Sequence, residues 1–409
     1  MAAKGKARRF DVVIGGGGYA GLALAGALSQ AGLDVAVADP AFGSVGQFRD
    51  PRASTIVAGA RRLFETIGAW DAISGEAEPV HGMRITDSRL ADIMRPVLLR
   101  FDNEAAPGEP FAHVAPNGTI RIGLLDAAKV AGSTLVPTGI AGFEQSAGKI
   151  AISLSDGSKI AATLLVAADG VTSNIRGLAR IPFRGWNYDH AAIVSNVRLE
   201  QPHDGIAIQH FVDRGTLAFL PLPNQHASIV WAEPRLQAER LAALSGDEFQ
   251  AALQQRAGYD FGEITPIGPR AVRPLKLGLA QHFHGHRIAL IGDAAHAMHP
   301  IAGQGMNFGL RDVAALAEAV VDAARLGLDI GSEPILQGYD SWRRLDTVAM
   351  LAATDGLINL FGSSAPAARM VRDTGMGLVD RAPRFKSAVI KSAAALTGNA
   401  PRLLRGEAL

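Results

Sequence analysis

Apolar and polar positions alternate between two periods along this chain, and the changes of period mark its parts. Phe10 to Ile14 is a short apolar run of strand length. Four glycines follow, and Tyr19 to Ala31 then has small and apolar residues at helical spacing, stopped by Gly32. Asp34 to Ala38 is a second β-rich run, ending at Asp39. Strand, glycine turn, helix and strand make a βαβ unit. Further on, Ala53 to Ile67 fits a helix closed by Gly68, and Ile122 to Ala131 is apolar at helical spacing. Lys149–Leu154 and Lys159–Ala167 flank Asp156-Gly157, a hairpin signal.

From residue 191 the texture changes. Ala191–Leu199, Gly205–Val212, Thr216–Leu222 and Ala227–Glu233 read as strands with no helix between them, which predicts an antiparallel sheet. Ser245-Gly246-Asp247-Glu248 is a capping box opening a helix to about Arg256. Arg287–Ile291 returns to a buried strand, Met306–Leu326 to a long small-residue helix, and the chain from about Ile335 reads as helical.

Composition narrows the classes. The 409 residues are 48% hydrophobic and 19% charged, with a net charge of +1, so the chain can bury a large core and is not a disordered one. The near-neutral balance predicts no nucleic-acid partner. There is no cysteine, which excludes disulfide scaffolds, iron–sulfur clusters, thiolate nucleophiles and dithiol redox centres. The basic start is not followed by an uninterrupted apolar segment with a cleavage site. The apolar run Val12–Leu28 is broken by six glycines, so the expectation is a cytoplasmic chain without a leader or spanning helix.

Glycine is enriched, 46 of 409, and part of the excess lies in Gly16-x-Gly18-x-x-Gly21, between a predicted strand and a predicted helix. The first glycine permits the tight turn, the second lets backbone approach a pyrophosphate, and the third lets helix and strand pack closely. Asp39, 18 residues after Gly21, places a carboxylate where ribose hydroxyls would lie. This motif does not separate FAD from NAD. Two later segments bear on that choice: Leu165-Val166-Ala167-Ala168-Asp169-Gly170, continuing to Arg176, and Ala289-Leu290-Ile291-Gly292-Asp293-Ala294-Ala295-His296, continuing through His299-Pro300 and Gly303-Gln304-Gly305-Met306-Asn307 to Asp312. The second is a buried strand with a carboxylate at its C-terminal end, then a glycine loop running into a helix N-terminus. Such an end stabilises negative charge on a flat ring.

With these three elements, in this order and at this spacing, the chain resembles the FAD-dependent aromatic-ring monooxygenases. His299 to Asp312 most resembles the ubiquinone-biosynthesis hydroxylases among them, and Asp50-Pro51-Arg52-Ala53-Ser54, Phe111-Ala112-His113-Val114 and Gln209-His210-Phe211 agree. The resemblance covers about residues 8 to 350. Three departures stand out: Gly15 before the glycine triplet, where Val or Leu is common; Asp39 where many carry Glu; and Gly118 where a basic residue is frequent.

The resemblance implies an α/β fold, a Rossmann-like FAD-binding domain with an inserted antiparallel-sheet substrate domain and a C-terminal helical region. The expected division is 1–75, 101–180 and 282–350 for FAD, 76–100 and 181–281 for substrate, and 351–409 for the helical region. Gly16, Gly18, Gly21 and Asp39 would hold the adenosine and pyrophosphate of FAD, with Arg52, Asn117 and Arg121 in support. Asp169, Gly292 and Asp293 would touch the cofactor, and Pro300, Gly303, Gln304, Gly305, Met306 and Asn307 would lie along its isoalloxazine. The implied reaction takes electrons from NAD(P)H or another donor, and O₂, and hydroxylates a polyprenylated phenol or benzoquinol ring through a C4a-hydroperoxyflavin. A small soluble phenol as substrate, or an inactive FAD-binding scaffold subunit, is the alternative. A phenol reacts best deprotonated, so a base is expected. Tyr188 and His210 join Pro300 as the catalytic candidates, and each of the two is also readable as a packed structural side chain.

His282, His284 and His286 alternate, but no acidic or cysteine cluster accompanies them in the sequence, so no metal is expected. Between Asp380 and Leu409 six basic residues face two acidic ones, with apolar residues between. This suits either a peripheral membrane contact, in keeping with a polyprenyl substrate, or an ordinary solvated helix. A multi-enzyme ubiquinone-biosynthesis complex is a further partner the resemblance implies.

Overall fold

The computed structural model describes residues 8–43, 50, 52–88, 97–101, 104–106, 108–212, 215–298, 305–362, 394 and 400–409. One sheet is built on five parallel strands. Its order is Ile288–Leu290, Lys159–Ala167, Arg9–Gly15, Val35–Ala38 and Thr134–Val136, with His284–Gly285 antiparallel at one edge and a hairpin, Ile140–Gln145 and Ile150–Leu154, added to the 159–167 strand. Strands such as Val12-Val13-Ile14 and Leu164-Leu165-Val166 are apolar on both faces and fully buried, because helices cover them. The Tyr19–Gln30 helix packs between Asn117–Val130 and Gly305–Arg325.

Register decides where the motifs meet. Gly15 pairs with Ala38 on one side and Ala167 on the other, and Ala167 pairs with Leu290. Parallel strands end at the same edge, so the glycine turn, Asp39, Asp169-Gly170 and Gly292-Asp293 come to one crevice outside the strand C-termini.

The second sheet runs His296–Ala297, Ala271–Ala280, Phe183–Leu199, His226–Pro234, Gly215–Leu222, Ile206–Val212, Gly82–Ser88 and Val97–Phe101. It is antiparallel except where 206–212 meets 82–88. Period-2 alternation gives it two apolar faces. Ile193, Phe219, Ile229 and Trp231 pack under the helices Arg235–Ala243 and Gly246–Ala257, while Ala192, Val194, Ala232 and Leu275 face the other way. The Ser245 capping box forms as expected, with Glu248 Oε2 accepting from Ser245 N at 3.0 Å. A third, small sheet joins Ala53–Val57, Ala112–Pro116 and Glu78–Val80.

Two expectations need correction. The helix expected over Ala53–Ile67 is a strand, Ala53–Val57, followed by a helix, Ala58–Thr66. The Ser-Thr-Ile-Val run prefers the pleated surface that the 112–116 strand offers. The helix expected from Ile122 begins at Asn117, directly after Pro116 in an extended conformation. At the C-terminal end the structure describes a helix Glu333–Gly362 and a short one, Arg402–Arg405. Among the described residues no helix is long and apolar enough to cross a membrane.

Candidate active site

At the glycine turn the backbone leaves no room for side chains. Gly16 has φ +111°, and a Cβ there would lie 2.3 Å from the Ala168 carbonyl oxygen. A Cβ on Gly21 would lie 2.0 Å from the Gly16 oxygen, so this glycine lets helix and strand touch. Gly18 instead faces open space, and it N-caps the Tyr19 helix without any side-chain hydrogen bond. The free N–H groups of that helix end meet the cavity, which fits the pyrophosphate of a dinucleotide. Asp39 is oriented by two backbone amides: Gly17 N donates to Oδ2 at 2.6 Å and Ala41 N to Oδ1 at 2.8 Å. A carboxylate has about four lone-pair sites, so it can still accept ribose hydroxyls. Arg121 Nε donates to the Gly17 carbonyl at 3.1 Å and braces the turn from the 117–130 helix.

Arg52 stands just before the 53–57 strand and Asn117 opens the 117–130 helix, side by side at the edge of the small sheet. Arg52 pairs with Asp50, its NH2 donating at 2.6 Å, and Asn117 donates to the same carboxylate at 3.3 Å while accepting from Ser54 Oγ at 2.7 Å. Burial, desolvating it beside Asp50, pushes the Tyr19 phenol up to about 12, so it remains a hydrogen-bond donor in the cavity wall.

Asp169 and Asp293 take different roles. Asp169 Oδ1 accepts from Ser173 Oγ at 2.5 Å and Oδ2 from Ile175 N at 3.1 Å, so its carboxylate caps the Asn174–Leu178 helix. Its neighbours Gly170 and Val171 line the cavity. Arg176, on that short helix, donates to the carbonyls of Ala294 and Val171, both at 2.8 Å, and its guanidinium stacks 4.1 Å from the Phe183 ring. One cation therefore ties the Asp169-Gly170 and Gly292-Asp293 motifs together. Asp293 projects into the cavity, where its own surface is accessible although protein encloses it. That enclosure raises its carboxyl above the ordinary value, against the pull of His296 and Arg52.

Behind Gly292 lies a buried charge network. Asp312 is fully buried on the 305–325 helix. It accepts from Gly292 N at 3.0 Å, bonds His296 Nε2 at 2.6 Å and accepts from Arg343 Nε at 2.9 Å. Burial alone would raise its carboxyl, but His296 and Arg343 outweigh it and hold it below the ordinary carboxylate value. Asn307 uses its amide on the 53–57 strand, accepting from Val57 N at 3.1 Å and donating to the Thr55 carbonyl at 2.7 Å. Gly305 and Met306 reach the cavity. Pro300, Gly303 and Gln304 lie outside the described residues.

Gly18 and Tyr19, Arg52, Asn117 and the Gly292–Asp293 turn border one cavity of about 640 Å³, which Asp39, Asp169 and Asp312 do not line. Its far wall is the inward face of the antiparallel sheet: Val194, Leu220, Val230 and Leu275, with Arg273 and Lys276 beside them. Tyr188 and His210 do not join it. The Tyr188 hydroxyl donates to Asp355 at 2.5 Å, and His210 is buried between strands with Nδ1 2.5 Å from Thr86 Oγ1. Tyr19 and the sheet-wall residues were not singled out from the sequence. Alternation could have separated the two faces of the 191–199 run, but not which face meets a cofactor domain encoded elsewhere in the chain.

Residues 9–352 match the family model described as FAD binding domain. The chain is 39% identical over 405 residues to the ubiquinone hydroxylase UbiL of Rhodospirillum rubrum, covering 97% of this chain and 92% of that protein. It is 29% identical over 392 residues to the 3-demethoxyubiquinol 3-hydroxylase of Escherichia coli, covering 94% and 98%. Among solved structures, p-nitrophenol 4-monooxygenase PnpA of Pseudomonas putida superposes with a TM-score of 0.78 at 18% identity, covering 96% of this chain and 99% of that one, a likeness of fold. The glycine turn, the two aspartate motifs that Arg176 joins and the match over residues 9–352 agree, and the chain belongs to the FAD-dependent aromatic-ring monooxygenases, in the ubiquinone-biosynthesis hydroxylase family.

Proposed function

We propose that this enzyme hydroxylates the aromatic ring of a polyprenylated phenol or benzoquinol on the way to ubiquinone. The observation that carries the reading is the cavity itself, with a dinucleotide cradle on one side and an apolar sheet face on the other. The names of the relatives from Rhodospirillum rubrum and Escherichia coli support the same substrate class.

Bound FAD, reduced by NAD(P)H or another donor, supplies the activation of O₂. The chain's own residues do the rest. The amides at the N-terminus of the Tyr19 helix hold the pyrophosphate, and Asp39 the ribose. Asp293 and the Gly292 turn hold the ring half, kept rigid by Asp312 and Arg176. Val194, Leu220, Val230 and Leu275 seat the substrate ring and exclude water. Arg273 and Lys276 favour its phenolate form by charge, so the proton leaves more readily. In this reading residues 76–100 and 181–281 form the substrate domain and 1–75, 101–180 and 282–350 the cofactor domain; the helical region expected over 351–409 falls mostly outside the described residues. Peripheral membrane contact belongs to the same proposal. Leu345, Val348, Ala349, Ala352 and Ala353 form an exposed apolar stripe at helical spacing on the 333–362 helix, suited to a lipid surface. Association with other enzymes of the pathway is part of the reading.

The test is mass spectrometry of quinone lipids from a host strain lacking the protein. The expected result is accumulation of a prenylated phenol short of one hydroxyl, cleared by re-expression. Normal quinone with no intermediate, alongside turnover of soluble phenols by the purified flavoprotein, would overturn the substrate assignment.

A further inference from the structure

Phe283 is fully buried between two histidines, so alternation along this extended segment sends His282 and His284 to the same side. The pairing of His284 with Ala289 fixes that side. The Glu333–Gly362 helix crosses it and lays Asp340 against both rings. His282 Nδ1 and His284 Nε2 each lie 3.7 Å from Asp340 Oδ2, and the three ligand atoms lie within 4.8 Å of one another. At 3.7 Å these are not hydrogen bonds. Among the described residues neither imidazole has a hydrogen-bond partner, although the His284 side chain is only 16% exposed. Asp340 Oδ1 accepts from Phe283 N at 3.2 Å, which turns Oδ2 towards the rings. His286, the third of the alternating histidines, points elsewhere, its Nε2 lying 3.2 Å from the Ser146 carbonyl.

We propose that His282, His284 and Asp340 bind a divalent transition metal of the zinc class. Two imidazole nitrogens and one carboxylate oxygen suit zinc and its neighbours rather than magnesium or calcium, which prefer oxygen donors. Ligands about 2.1 Å from a tetrahedral centre sit about 3.4 Å apart, so a contraction of a few tenths of an ångström closes the two His–Asp spans. His282, 53% exposed, is free to turn, and water completes the shell. Asp340 already has the backbone bond behind it that holds a metal-binding carboxylate in place. The ion links the 284–285 strand to the 333–362 helix, which also presents Arg343 to Asp312. The three ligands do not line the cavity, so the ion acts on stability rather than as part of the chemistry.

The test uses untagged, FAD-loaded protein stripped with chelator and titrated with Zn²⁺ by calorimetry. One equivalent should bind and raise the thermal midpoint, with Mg²⁺ unable to compete. His282→Ala with His284→Ala should weaken binding by about tenfold or more while keeping the flavin absorbance of a folded holoprotein. Asp340→Asn retains an acceptor for Phe283 N, and it too should weaken the site. No saturable binding, or binding unchanged in the double histidine variant, overturns the proposal.

Discussion

Replacing Asp312 with Asn tests whether the charge buried behind Gly292 holds the cofactor cradle. The carboxylate makes three contacts, at 2.6 to 3.0 Å, to His296, Arg343 and Gly292 N. An amide of the same shape can keep its oxygen towards Gly292 N and His296, but its NH₂ then meets Arg343 Nε, donor against donor. Arg343 would be left with Asp346, 2.7 Å away and partly exposed. Three charge-assisted hydrogen bonds at about 1.5–3 kcal/mol each would give roughly 5–9 kcal/mol, an upper bound because the amide preserves two of them. Breaking one partner of a buried pair costs about 3–5 kcal/mol, and that range governs here. At this chain length the unfolding entropy is about 0.9 kcal/mol/K, so the thermal midpoint should fall by about 3–6 °C. FAD affinity should fall with it, because a neutral amide holds Gly292 N more weakly than the carboxylate does and loses its own tie to Arg343. The sign of the pH effect follows from the depressed carboxyl. Its contribution is present above the unfolded value of about 4 and is lost as pH falls below it, so variant and parent converge only in acid. Thermal unfolding from neutral pH to about pH 3, with flavin titration at neutral pH, measures both. A midpoint within about 1 °C of the parent and unchanged FAD binding would refute the reasoning.

Gly21→Ala should abolish flavin retention, read as flavin absorbance per protein, because its Cβ would sit 2.0 Å from the Gly16 oxygen. Arg176→Met removes donors to two carbonyls and should weaken FAD binding by about tenfold or more in a fluorescence titration. Burial, with Arg61 beside it, pushes the His113 imidazole down to about 4, and its Nδ1 has no hydrogen-bond partner among the described residues. Its depressed folded value means that stability is full above about 6.5 and falls as the unfolded chain takes up a proton below that, levelling off near 4. His113→Phe should flatten that part of a denaturant-stability profile against pH. Tyr188→Phe should leave kcat within about twofold, since its hydroxyl is engaged with Asp355 and the side chain is not among those lining the cavity; a fall of more than about tenfold would make Tyr188 catalytic.

Local chemistry is legible along the chain itself. The Gly16-x-Gly18-x-x-Gly21 turn, the Ser245 capping box and the Asp156-Gly157 hairpin each depend on contacts a few residues apart, which spacing encodes directly. The 53–57 segment shows the limit. Its β-branched residues are short and apolar enough to continue the following helix, and only the 112–116 strand, distant in sequence, makes them a strand. The aspartates show it again. Asp169 and Asp293 have equal standing as motif residues, yet one spends both oxygens on capping a helix and the other faces the cavity.

The sequence by itself therefore determined the dinucleotide turn and the order of most strands and helices, because those rest on local backbone geometry and on period, while the choice of FAD rested on resemblance to a family. The tertiary structure alone decided which sheet face meets the cofactor crevice, that Arg176 joins two motifs, that Asp312 is held by groups 16 to 31 residues away, and that Asp340 comes to lie against His282 and His284. Those pairings are set by sheet register and by the packing of helices over long chain separations, and no spacing along the chain records them.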